Sequence, residues 1–158
     1  MTYILDSSAL KYLLDELPHN LIPEIWDKFE ELCQNDLILS DREIKKELEL
    51  DLNDITSLEW IDKHKNLFKP LSSIEAVELG NMISKGLFDY FKTSSSTSKR
   101  IFERKLPEGI PFIIAKAKTN KYTLVYRKNG RDTNRIVSIC SGESIDFCEV
   151  EEMLLALK

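Results

Sequence analysis

Two acidic side chains stand out by where they fall. Asp6 arrives just as the apolar run Tyr3, Ile4, Leu5 ends, and Glu47 lies in ILSDREIKKEL, one helical turn from Ile44 and on its face. Carboxylates gathered at one edge of a sheet repel each other unless a divalent cation joins them, and hard oxygen ligands suit magnesium or manganese. Such an ion lowers the pKa of bound water and can turn it against a phosphodiester. Asp6 has a second reading. Ser7 and Ser8 follow it, then Ala9, Leu10, Tyr12, Leu13 and Leu14 at helical spacing, so it also fits the N-cap of a first helix.

The elements that must position these acids are short. YIL reads as a first strand, and Ile22, Ile25, Trp26, Phe29, Leu32 and Cys33 give a helix with Pro23 in its first turn. LILS, residues 37–40, reads as a second strand closed by Asp41, which caps the next helix, REIKKELEL. Helices are expected over DITSLEWIDKHKNLF and SIEAVELGNMISKGLFDYF. The Ser/Thr-rich, basic segment KTSSSTSKR has no apolar period and reads as an exposed loop. IPFIIAKAKTN predicts a helix opened by Pro111, and YTLVYRK predicts a strand. RIVSIC fits a short helix or a short strand, SIDFC a last strand, and EVEEMLLALK an amphipathic helix. Short apolar strands alternating with helices predict one α/β domain over residues 1–158, a mostly parallel central sheet between helical layers.

Composition narrows the classes. A hydrophobic fraction of 42% is ordinary for a globular chain, and no apolar run reaches the roughly 18 residues of a membrane span. Cys33, Cys140 and Cys148 are an odd number without paired spacing, which suits reduced thiols. His19 and His64 are isolated. A cytoplasmic protein with no membrane contact is the expectation.

Charge is segregated. Residues 1–90 carry 9 basic and 19 acidic side chains, net −10; residues 91–135 carry 12 and 3, net +9; residues 136–158 carry 1 and 5, net −4. A local positive field attracts phosphate even on an acidic chain, although the same stretch could pair with the acidic half of the fold.

YILDSSAL, LILSDREIKKEL, PFIIAKAKTNKYTLVY and RIVSIC…IDFCEVEEML, in this order, resemble the PIN domain family, the nuclease fold of VapBC-type toxins and many RNA-processing enzymes. EIWDKFEEL and the ending look most like a bacterial and archaeal PIN-like branch whose function is not named. The resemblance spans nearly the whole chain except about residues 85–107, and implies a three-layer PIN-like domain with an insertion around 92–107. In that family three or four acids hold one or two divalent ions. Asp6 matches the first acid, a Ser7 or Ser8 hydroxyl its polar neighbour, and Glu47 the second acid. The third position holds Ile110 here, and the fourth holds Arg127 and Lys128. Two residues could stand in, Glu108 if LPEGIP turns at Gly109, and Asp132 in KNGRDTNR. In the other reading Glu108 is solvated and Asp132 pairs with Arg131 or Arg135.

The resemblance therefore implies a Mg2+- or Mn2+-dependent ribonuclease of toxin or RNA-processing type. Asp6 and Glu47 would be its ligands, and Lys116, Lys118, Lys121, Arg127, Lys128, Arg131 and Arg135 its phosphate contacts. Tyr122 and Tyr126 would stack on bases or belong to the core. The alternative is a non-cutting PIN-like module that binds RNA or a protein. An antitoxin and a second copy of the chain are the protein partners it suggests.

Overall fold

The computed structural model describes residues 1–17, 22–88, 109–128 and 133–157. Five strands form one sheet in the order β3-β2-β1-β4-β5, with every pair parallel. They are β1 (Tyr3–Leu5), β2 (Ile38–Asp41), β3 (Phe68–Lys69), β4 (Thr123–Tyr126) and β5 (Phe147–Glu149). Helices flank the sheet: α1 (Ser7–Lys11), α2 (Pro23–Gln34), α3 (Arg42–Asp51), α4 (Ile55–Lys63), α5 (Ser73–Ser84), α6 (Gly109–Asn120), α7 (Thr133–Gly142) and α8 (Val150–Ala156). A π-helical turn, Tyr12–Glu16, continues α1.

Parallel strands covered on both faces need continuous apolar runs rather than alternation. Ile4 and Leu5 of β1 and Leu124 and Val125 of β4 are fully buried, as are Ile113, Ile114 and Ala115 of α6. Each Ile, Leu or Val side chain among these contributes roughly 1.5–3 kcal/mol. Helix α6 lies across β1, β2 and β4 and packs on α3 and α5. That position brings its first turn to α3 and its middle to the end of β2.

Local chemistry sets the ends. Asp41 caps α3 through the Glu43 amide at 2.7 Å, and Asp54 caps α4 through the Ser57 amide at 3.0 Å. Ser72 and Glu75 form a reciprocal capping box on α5. Gly86, at φ 76°, takes the left-handed conformation just past α5.

The fold departs from the sequence expectation at two places and decides a third that the sequence leaves open. The helix expected through Phe68 stops at Lys63, and a single 3-10 turn (Lys65–Leu67) leads into strand β3. The helix expected from Ser73 through Phe91 stops at Ser84, short of the left-handed Gly86. RIVSIC, open between helix and strand, lies within helix α7. The expected loop at 92–107 lies outside the described residues. Among the described residues no helix is long and apolar enough to cross a membrane. All three cysteines are free, and burial pushes the Cys33 and Cys140 thiols up to about 12 and Cys148 up to about 11.

Candidate metal centre at the carboxyl edge

The carboxyl ends of β1 and β4 meet at Asp6. Its amide donates to the Val125 carbonyl at 3.1 Å, which carries the β1–β4 pairing one residue beyond the strand. Its side chain then turns to cap α1, with Oδ1 accepting from the Ala9 amide at 2.8 Å and from the Ser8 hydroxyl at 2.7 Å. The Ser8 oxygen in turn accepts the Arg127 amide at 2.9 Å, so its proton is directed at Asp6. Three residues thereby lock one carboxylate to two strands and a helix. The cap expected from sequence is present, and it orients the side chain without removing its charge.

Glu47 comes to the same edge from α3. Its Oε1 accepts the Gly109 amide, 2.5 Å away at the start of α6. Both acids resist ionisation. Burial pushes Asp6 up to about 6, offset in part by Ser8 and Ala9 and raised further by the charge of Glu47. Burial likewise raises Glu47, against the pull of the Gly109 amide and the Ser7 hydroxyl. Desolvation and like charge act in the same direction here.

Gly109 is a close approach. A methyl group on it would run into the Ile44 side chain and come within 2.9 Å of Glu47 Oε1. Gly109→Ala should therefore displace Glu47 or Ile44 and destabilise the fold by about 1–3 kcal/mol, read in a thermal melt. An unchanged melting temperature would mean that α6 starts further from α3.

Ile110, at the expected position of a third acid, is 2% exposed and belongs to the core. Among the described residues no three of His, Cys, Asp and Glu gather to hold a metal. Glu108, Asp132 and Arg131 lie outside the described residues. Magnesium often takes only one or two carboxylates and completes its shell with water and substrate phosphate. Asp6 and Glu47, both oxygen donors, offer two carboxylates to one hydrated ion of that kind and are too few for two.

The basic residues separate. Lys116 points inward at 4% exposure, with its ammonium 3.0 Å from Asp41 Oδ2 and donating to the carbonyls of Lys69 (2.6 Å) and Pro70 (3.2 Å). It ties α6 to β2 and β3 and is no surface cation. Lys118 donates to the Glu143 carbonyl at 3.0 Å. Lys121 is exposed in a left-handed turn before β4, at the opposite edge from Asp6. Arg135 donates to the Leu87 carbonyl at 2.9 Å. Tyr126 is buried beside Phe147, and Tyr122 is half-buried.

Arg127 and exposed Lys128 remain beside the acids. The Arg127 guanidinium lies 3.8 Å from the Tyr12 ring centre and pairs with Glu151 at 2.5 Å and Glu16 at 3.7 Å. It lines a depression of about 380 Å³ with Ser7, Ser8, Lys11, Tyr12 and Glu16. The Asp41–Lys116 pair, the Gly109 contact and the Ser8 bridge were not read from sequence. A signal for Lys116 was present, since it falls between alanines in a helix with apolar residues on most sides.

No curated protein matches the chain. In fold it is similar to a chain of the crystal structure of VapBC2 from Rickettsia felis bound to a DNA fragment from their promoter. The TM-score is 0.55, over 94% of this chain and 98% of that one, at 13% identity. This likeness makes the fold PIN-like. The match of residues 3–158 is to the family described as Domain of unknown function (DUF4411), and the chain belongs to that family.

Proposed function

We propose that the chain is a PIN-like ribonuclease module with a single divalent-ion site, Asp6 and Glu47 holding magnesium or manganese and RNA phosphodiester as the substrate. The observation that carries this reading is a pair of carboxylates at one sheet edge, Asp6 buried and Glu47 half-buried, each raised by burial, with Glu47 raising Asp6 further. Like charges at a desolvated edge cost stability, eased only at Glu47 by Lys11, and a dication there offsets both repulsion and desolvation.

The bound ion would supply Lewis acidity and a water of lowered pKa. The chain's own residues supply position. Ser8 and Ala9 fix the Asp6 carboxylate, the Gly109 amide fixes Glu47, and Arg127 and Lys128 stand at the rim for phosphate oxygens. Arg131, Arg135 and Lys121 remain candidate phosphate contacts, while buried Lys116 is left out. The VapBC2 likeness favours a toxin-type module with an antitoxin as its protein partner.

The test is cleavage of a mixed RNA pool, with metal binding followed by calorimetry. Manganese should support cutting, EDTA should abolish it, and about one ion should bind per chain. Glu47→Gln should lose both. Buried Ile110 favours a second reading, a module that binds RNA without cutting. Retention of RNA in EDTA, without cutting in manganese and with affinity falling steeply with salt, would establish that reading and end the first.

A further inference from the structure

We infer that the depression between Tyr12 and Arg127 is a guanine-reading subsite, in which a base next to the scissile phosphate lies on the Arg127 guanidinium and gives the donors of its Watson–Crick edge to Glu16. This subsite rests on the ribonuclease reading above and names the base which that reading leaves open. Ser7 and Ser8 line the depression, and these are the serines that bond to Glu47 and Asp6. A nucleotide whose phosphate reaches the acids therefore has its base within reach of this space. At about 380 Å³ the depression falls at the small end of ligand pockets and suits a single base.

The stacking platform is already formed. The Arg127 guanidinium lies 3.8 Å from the Tyr12 ring centre, and Glu151 holds its edge. Besides the N–H groups it offers a phosphate at the rim, a guanidinium has a flat face, and unpaired RNA bases stack on such planes. Tyr12 opens the π-helical turn and Glu16 closes it, and both line the depression. Turns of this kind are rare and concentrate at functional sites. Glu16 stands 3.7 Å from the guanidinium and is 61% exposed, so its carboxylate can turn to the edge of a base lying there.

Charge decides which part of the nucleotide enters. The Lys11 ammonium is 2.6 Å from Asp51, and Arg127 faces both Glu16 and Glu151. With Asp15 also on the wall, a phosphate inside would meet carboxylates, and the nearby cations are already paired. An uncharged base escapes that repulsion. An ionised carboxylate only accepts hydrogen bonds, so it selects a base edge made of adjacent donors. Guanine has that edge, with N1–H beside the exocyclic N2 amino group. Adenine and cytosine set one amino donor beside a ring acceptor, and uracil sets its N3–H between two carbonyls. On those bases the carboxylate would face an acceptor, leaving both without a partner.

The test is fluorescence anisotropy of the full chain with labelled uridine hexanucleotides, plain or carrying one internal guanosine, adenosine or cytidine. Binding is read in EDTA, so it does not depend on cutting. The guanosine hexamer should bind about tenfold tighter than the other three. Glu16→Gln, a change at an exposed side chain, should keep the melting temperature and bring all four within about twofold of one another. Arg127→Lys keeps the charge and loses the flat face, so it should weaken the guanosine hexamer about tenfold with the salt dependence unchanged. Equal binding of the four by the wild type, binding of none, or a guanosine preference that survives Glu16→Gln overturns the subsite, whether or not the chain cuts RNA in manganese. A guanosine preference carried by Glu16 without cutting in manganese upholds the subsite and overturns the ribonuclease reading alone.

Discussion

Asp6→Asn is expected to abolish metal-dependent RNA cleavage while making the protein more stable. Loss of a ligand carboxylate removes several kcal/mol of charge stabilisation at the ion, so activity should fall at least about 100-fold. Stability moves the other way because the folded carboxyl ionises at about 6. An unfolded aspartate ionises near 3.9, so below about pH 4 the group is neutral in both states. As pH rises through the window from about 4 to about 6, the unfolded chain releases its proton first. The native state then loses stability, and the loss persists above that window. Two pKa units correspond to about 3 kcal/mol at most.

Asparagine keeps a carbonyl for the Ser8 and Ala9 bonds and removes the like charge beside Glu47. A gain of about 1–3 kcal/mol at pH 8 follows, shrinking toward zero at pH 4. Thermal melts at the two pH values read it directly. Equal melting temperatures for wild type and variant at pH 8 would mean that Asp6 is not strained, and the ion site would lose its physical basis. In the wild type, ion binding at limiting metal should strengthen with pH through about 6 and then level off, since only the ionised carboxylate holds the ion.

The second large effect lies in the core. Removing Lys116 strands the Asp41 carboxylate, itself 1% exposed, and leaves two carbonyls at the end of β3 without a donor. Breaking a buried pair from one side costs about 3–5 kcal/mol. For a chain of this size that is a fall of roughly 6–20 °C in Tm for Lys116→Ala. Asp41→Ala should cost as much, plus about 1 kcal/mol for the lost α3 cap. The double variant should lose less than the two singles together, because the second change no longer strands a charge. Weakened RNA binding at an unchanged Tm would instead return Lys116 to the phosphate contacts named from the sequence.

That contrast shows what the sequence carries and what it hides. Strand β1 with its terminal acid, β2 with its cap, and α6 were legible because an apolar run followed by a polar stop records burial and chain reversal together. Strand β3 was hidden, since two residues have no period. Lys116 was hidden for a different reason: charge alone suggests solvent, while its neighbours Ala115 and Ala117 are fully or almost fully buried. Asp6 and Glu47 stand out in the sequence by type and position, and the structure brings both to the carboxyl edge. Their closeness and the raised pKa values were not legible, because these depend on where Gly109 and Ile44 bring α6 against α3.

The sheet order also bears on how the chain reaches this state. Tyr3 pairs with Thr123, and Ile4 with Leu124, across almost the whole sequence. Parallel pairings of such separation carry a large loop-closure cost before any contact is gained, and they slow folding. Strand β1 can pair early with β2, but its other edge waits for β4, and until then an apolar strand is open to adventitious association. Asp6 sits on that late seam, held by Val125 and, through Ser8, by Arg127. The contacts to Val125, Arg127 and Gly109 that fix the two acids all come from the second half of the chain, so neither acid is fully held until that half has docked.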